Sequence, residues 1–337
     1  MMFLQTLGQK IAHQALLRLD PETAHDLSLK ALSKMPCAVP YLEPPVEKLE
    51  LMGLSFRHRL GLAAGLDKNA VAIEAFDRLG FSHLEVGTVT PRPQAGNPKP
   101  RLFRLSSEQA IINRMGFNNE GVSALVERVK HAKAQKTLRA IIGINIGKNK
   151  DTPNEEAIQD YQSAFRQAAE IADYITINIS SPNTQNLRAL QHGQSLRDLL
   201  EAMKHEQREA KRFVPLVVKV APDQEESALS ALWDSIGESG VEGLIVSNTT
   251  IDKTLVSHHL YGAEEGGLSG KPLTARSTAL LAKARQALPK ITLIGAGGTM
   301  SAEDYHEKLE AGADLVQVYT GFVYHGVDLL KACYGLK

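Results

Sequence analysis

Cysteine is scarce: Cys37 and Cys333 are the only two in 337 residues. They form neither a disulfide framework nor a metal-binding spacing, and they fit thiols without chemistry in a reducing compartment. An excess of either charge is also missing, since 38 basic and 38 acidic side chains give a formal net charge of zero. The basic residues are dispersed and not interleaved with aromatics, so no nucleic-acid partner is expected. No run approaches the roughly 18 to 20 apolar residues that span a bilayer. The amino terminus lacks the basic, apolar and small-residue regions of an export signal, so export is not expected. A G-x-G-x-x-G fingerprint after a first strand is absent too, which argues against a Rossmann dinucleotide site.

What is present is an alternation. Eight short apolar runs end in polar or glycine residues: Leu60 to Gly65, His83 to Thr88, Ala140 to Gly147, Tyr174 to Ile179, Pro215 to Ala221, Gly243 to Thr250, Ile291 to Gly298 and Leu315 to Gly321. Stretches with helical spacing separate most of them, such as Ala70 to Leu79, Gly121 to Ala134, Ala157 to Ala172, Ser195 to Ala210, Glu225 to Gly240, Thr274 to Leu288 and Ala302 to Ala311. Strands apolar throughout suit a parallel sheet buried on both faces. The fold expected is an α/β (β/α)8 TIM barrel over residues 46–337, with a small helical extension over residues 1–45.

In that extension Leu4, Leu7, Ile11, Ala15 and Leu16 share one helical face. Asp20-Pro21-Glu22 then reads as a cap, a first-turn proline and an acidic first turn, and Leu27, Ala31 and Leu32 continue an apolar face. Two readings stay open: a hairpin packed on its own barrel, or an amphipathic foot on a membrane. Between the second and third strands an insertion, Pro91 to Asn119, reads as a lid or substrate wall.

The chemistry gathers at strand ends. Asn178-Ile179-Ser180-Ser181-Pro182-Asn183 closes the fourth strand with amides and hydroxyls held by a proline turn; taken alone it is a reactive turn or ordinary turn punctuation. Gly295 to Thr299 and Tyr319-Thr320-Gly321 follow strands seven and eight, where barrels bind phosphate through backbone N–H groups. A bound cofactor such as FMN fits there, as does a phosphorylated substrate. Lys219, inside a buried strand, must have a partner: it is either the Schiff-base amine of an aldolase or a fixed cation beside a flavin. Lys68 sits in a similarly apolar, glycine-rich setting.

Taken together, Leu62 to Lys68, Val86 to Gln94, Asn113 to Asn118, Gly143 to Asn149, Asn178 to Asn183, Ser247 to Thr250 and the N-terminal Leu19 to His25 resemble class 2, quinone-dependent dihydroorotate dehydrogenases over essentially the whole chain. The resemblance implies an FMN barrel that oxidises (S)-dihydroorotate to orotate in pyrimidine synthesis. It also implies electron transfer to a membrane quinone by a peripheral protein on the cytoplasmic face of the inner membrane. It implies that Ser181 is the base, where class 1 relatives use a cysteine, and this chain has none nearby. It sets the substrate against Lys68, Asn113, Arg114, Met115, Gly116, Phe117, Asn178, Asn183, Asn248 and Thr249. FMN is implied at Ala64, Gly65, Leu66, Asp67, Lys68, Thr88, Asn145, Asn178, Lys219, Ser247, Gly270, Gly298, Tyr319 and Thr320. No metal is implied.

Overall fold

The computed structural model describes residues 12–184 and 186–336. Residues 12–16 are helical and helix α1 (Pro21–Lys34) follows. Asp20 caps α1, accepting the Thr23 backbone N–H at 2.9 Å, with Pro21 and Glu22 in the first turn. The face expected on Leu4, Leu7 and Ile11 lies outside the described residues. On α1 the inward face is rotated from the expected one: Leu27 and Ala31 are exposed while Ala24, Leu29 and Leu32 turn inward. The cause is Glu22, whose carboxylate pairs with Arg101 at 2.8 Å with both side chains 8% exposed, and so pins that side of α1 to the barrel.

After α1 the chain forms a short antiparallel pair, β1 (Leu49–Leu51) and β2 (Leu54–Phe56), then β3 (Leu60–Leu62), α2 (Ile73–Arg78) and β4 (His83–Val89). The insertion folds as a hairpin, β5 (Leu102–Leu105) and β6 (Ala110–Asn113). Next come α3 (Val122–Ala134), β7 (Ile141–Ile146), α4 (Ala157–Ala168), β8 (Tyr174–Asn178), α5 (Gly193–Glu209), β9 (Leu216–Val220), α6 (Glu226–Ser239) and β10 (Gly243–Val246). The chain ends with β11 (Gly267–Gly270), α7 (Thr274–Ala287), β12 (Thr292–Ala296), α8 (Ala302–Glu310), β13 (Leu315–Val318) and α9 (Thr320–Tyr334).

Strands β3, β4, β7, β8, β9, β10, β12 and β13 form one closed barrel in chain order. All eight expected strands are therefore present. The one helix that starts clearly late is α2, at Ile73 instead of Ala70: the Asp67 carboxylate captures the N–H groups of Val71 and Ala72, and Ala70 is left-handed at φ 58°.

The barrel is filled in two zones. Toward its base, Phe56, Tyr174, Val217, Ile245, Ile294 and Leu315 pack together in the lumen, sealed by Leu49, Leu51, Met52 and Leu54 of the β1–β2 pair. A larger core lies between the strands and the outer helices. Over the opposite end β5, β6 and β11 form a three-stranded antiparallel sheet on a small core of Phe103, Leu105, Ile112, Val256 and Leu268. The expected lid is thus a sheet whose third strand comes from far along the chain.

Candidate active site

Alternate residues of each strand face the lumen, and their polarity rises toward the C-terminal end. On β8 the series is Tyr174, Thr176, Asn178; on β9 it is Val217 then Lys219; on β13, Leu315 then Gln317. Parallel register sets Asn178 beside Lys219. Deep in this column Glu85 is fully buried and accepts from Asn145 Nδ2 at 2.7 Å, Gln317 Nε2 at 2.9 Å, and the Tyr174 and Thr176 hydroxyls at 3.1 Å each. Above it Asn178 Nδ2 donates to Thr88 Oγ1 at 2.8 Å and to Asn145 Oδ1 at 3.2 Å. One amide–hydroxyl ladder thus joins the lumen to the strand ends.

The ladder opens into a cavity with about 1090 Å³ free of protein atoms, part of it open to solvent, roofed by the upper sheet. Lys219 reaches its wall only 6% exposed, with no hydrogen-bond partner among the described residues. Burial lowers its pKa, and the Glu85 charge works the other way. Lys68, half-buried on the same wall, donates to Gly65 O at 2.9 Å, and burial holds its pKa at about 8.

The two serines after β8 differ. Ser180 is tied into the framework, bonded to Asn178 Oδ1 and accepting from Asn248 Nδ2 at 2.9 Å. Ser181 lines the cavity, and its Oγ accepts only the Asn183 N–H, at 3.2 Å. No described carboxylate or imidazole accepts its proton. Asn183 in turn donates to Asn113 Oδ1 at 3.1 Å, linking the turn after β8 to the upper sheet.

At the far end the glycine loop is shaped for an anion. Gly297 and Gly298 are left-handed, at φ 98° and 75°, and a Cβ on Gly298 would lie 2.4 Å from Thr274 Cα, so only glycine fits. The Gly297 carbonyl accepts from Ser277 Oγ and the Gly298 carbonyl from Thr274 Oγ1, each at 2.7 Å. In a trans peptide the C=O and the following N–H point oppositely. The N–H groups of Gly298 and Thr299 therefore turn away from α7, toward the cavity these residues line, and neither has a protein acceptor among the described residues. The buried hydroxyl of Thr299 and the Gln317 Oε1 also lack partners.

Most of the expected site residues meet on this wall: Ala64, Gly65, Lys68 and Thr88 from the first two strand ends; Asn113 of the upper sheet with Met115, Gly116 and Phe117 of the loop after it; Asn178, Ser181, Asn183, Lys219, Ser247, Asn248 and Thr249 from the middle strands; Gly270, Gly298, Tyr319 and Thr320 around the glycine loop. Four do not reach it. Leu66 packs in the core, Asp67 is spent on the backbone before α2, and Asn145 lies one layer beneath Thr88. Arg114 is held at 2.6 Å by Glu264 and stacked over Phe103, at a second opening beside Pro182 and Asn183. Sequence reasoning missed Glu85 and Gln317, although each is a polar residue inside an apolar strand, the signal that singled out Lys219.

The dihydroorotate dehydrogenase family profile matches residues 47–334. The chain belongs to the dihydroorotate dehydrogenase family. It is 56% identical over 319 residues to the dihydroorotate dehydrogenase (quinone) of Dichelobacter nodosus, covering 94% of each chain. It is 48% identical to that of Vibrio parahaemolyticus over 331 residues, 96% of this chain and 97% of the other. Among solved structures it resembles the Eimeria tenella enzyme in complex with ferulenol, with TM-score 0.87, 36% identity and coverage of 94% of this chain and 90% of that one. As a quinone-dependent member, it is an oxidoreductase of pyrimidine biosynthesis with a TIM barrel.

Proposed function

We propose that the cavity holds FMN and (S)-dihydroorotate together, that Ser181 is the base in the oxidation to orotate, and that the electrons leave to a membrane quinone. The observation that carries this reading is the Lys219 ammonium, buried at the cavity wall without a hydrogen bond, facing the same space as the unpaired N–H groups of the glycine loop. A buried cation with no hydrogen bond, offset only by the charge of Glu85, favours an electron-rich partner in the cavity, and unpaired N–H groups at a left-handed loop suit a phosphate. One ligand with an electron-rich ring at one end and a phosphate at the other satisfies both.

When bound, FMN supplies the acceptor for the hydride that leaves one substrate carbon. The remaining work falls to the chain. Ser181 Oγ removes the proton from the neighbouring carbon, next to a carbonyl, as its own hydroxyl proton passes to a water in the cavity and on to solvent, while Met115, Gly116 and Phe117 line the space above it. Asn113, Asn178, Asn183, Asn248 and Thr249 present amides and a hydroxyl to the polar ring, and Lys68 faces the substrate carboxylate. Lys219 would supply fixed positive charge to the cofactor, Ala64, Gly65, Thr88, Ser247, Gly270, Gly298, Tyr319 and Thr320 would line its site, and Asn145 would support it through Thr88.

The same reading gives residues 1 to about 45 to the membrane and the barrel proper to residues 46–337. Five of ten exposed large apolar side chains among the described residues, Leu19, Leu27, Met35, Tyr41 and Val46, fall between residues 19 and 46. No described helix is long and apolar enough to cross a bilayer. The exposed apolar side chains support peripheral contact through an amphipathic surface, and the proposal sets that contact on the cytoplasmic face of the inner membrane. The deciding experiment is a visible spectrum: the protein purifies yellow with about one FMN per chain, as the single loop after strand seven requires. A folded, colourless protein that FMN cannot reconstitute, but that borohydride traps on Lys219 with a carbonyl ligand, would replace this reading with a lyase.

A further inference from the structure

Behind the glycine loop lies a lysine that the chemistry above does not use. Lys308 of α8 is 0% exposed. Its ammonium donates to Ser277 Oγ at 2.8 Å and Thr278 Oγ1 at 3.1 Å on α7, and no carboxylate lies within ion-pair distance among the described residues. Burial lowers its pKa to about 8, while the charges of Asp304 and Glu307 on its own helix act in the other direction. A buried ammonium bonded to hydroxyls alone costs stability, and the carboxylates of Asp304 and Glu307, beyond ion-pair distance, offset only part of that cost.

What it does return is orientation. With the ammonium occupying a lone pair of Ser277 Oγ, the serine hydrogen is directed to carbonyls, Gly297 O at 2.7 Å and Thr274 O at 3.1 Å. The bond to Gly297 is one of the two that turn the loop N–H groups into the cavity. A chain of three groups, Lys308, Ser277 and Gly297, therefore runs from a buried positive charge to the Gly298 N–H.

We infer that Lys308 is a positioning residue for the phosphate end of the cofactor: it locks Ser277 into the orientation that aims the Gly298 N–H, and adds a buried positive charge behind the loop. This rests on the FMN reading above. The inference is specific to phosphate, because on that reading the ring would face Lys219 and not the glycine loop.

The test uses the full chain stripped of flavin and titrated with FMN or with riboflavin, which lacks the phosphate. Wild type should prefer FMN. Lys308→Met should reduce that preference about 10- to 100-fold, the range for one charge at an effective dielectric near 20, with riboflavin affinity within about twofold of wild type. Lys308→Arg should retain most of the preference, and the phosphorus NMR signal of bound FMN should shift in the methionine variant. Ser277→Ala should mimic Lys308→Met, and the two together should be less than additive. A methionine variant that keeps the full preference, or that loses both ligands equally, overturns the inference and leaves Lys308 a packing residue. A wild type that binds both ligands alike overturns the phosphate assignment itself, and the inference with it.

Discussion

The two ends of one lumen are built to different standards. At the base, Val217, Ile245, Ile294 and Leu315 pack fully buried beneath the β1–β2 seal. Two residues further along the same strands stand Lys219, Ser247, Ala296 and Gln317, where the Lys219 ammonium and the Gln317 Oε1 have no hydrogen-bond partner among the described residues; at the base the exception is His83, packed edge-on against Phe56 with neither ring nitrogen bonded. The strands are continuous, so the change is not one of fold. A finished interior maximises packing, whereas a site must leave donors and charges to be completed by a ligand, and tolerates the cost because the base supplies the stability.

Substitutions at the two ends should therefore separate chemistry from stability. The largest effect is expected at Ser181→Ala, which should slow flavin reduction by dihydroorotate roughly 10²- to 10⁴-fold, the range for losing a general base, with little change in substrate binding; stopped-flow bleaching measures it, and a rate within about threefold of wild type would assign the proton to another group. Lys219→Met should come next, with flavin lost from the purified protein or reduced about tenfold or more slowly. At the base the pattern should reverse: Ile245→Ala should lower unfolding free energy by about 2–5 kcal/mol, read by denaturant titration, yet leave the reduction rate of the folded enzyme near wild type. A base variant that impairs chemistry as much as stability would erase the distinction between the two ends.

A milder effect concerns Lys68. Its pKa, held at about 8 by burial, makes it a cation below that pH and neutral above, so attraction for the anionic substrate is present at low pH and lost as pH rises through about 8. The kcat/KM for dihydroorotate should show a descending limb there that Lys68→Gln abolishes. The smallest effect on the reductive half-reaction is expected from Leu27→Glu with Met35→Glu, exposed on α1 and at its C-terminal cap. Liposome binding and quinone turnover should fall while single-turnover bleaching stays unchanged; intact quinone turnover would return α1 to a simple packed helix.

How much was legible in the sequence follows the same division. The eight strands could be read because parallel strands buried on both faces leave unbroken Val and Ile runs, and the site could be read at their ends, where Lys219 and the asparagines interrupt those runs. The strand β11 could not: Gly267-Leu268-Ser269-Gly270 has no apolar run, and it becomes a strand only because β6 lies alongside it. Lys308 was hidden for the opposite reason. In Glu307-Lys308-Leu309-Glu310 it looks like one more charge on a solvated helix, and only the packing of α8 against α7 turns it inward. The rotation of α1 was equally out of reach, since it depends on Arg101, a partner 79 positions away.

That partner limits how far the molecule is modular. Arg101 does more than receive Glu22: the same guanidinium holds the carbonyls of Ala95 at 2.7 Å and Asn97 at 2.8 Å, and Asn97 Nδ2 reaches Arg114 O at 2.9 Å in the wall beside the substrate space. An extension exchanged between relatives is therefore not a free-standing part. A chimera that brings an amino-terminal helix without a carboxylate at the Glu22 position leaves a buried guanidinium unneutralised and the cavity wall loosened, so extension and insertion have to be transplanted as one part.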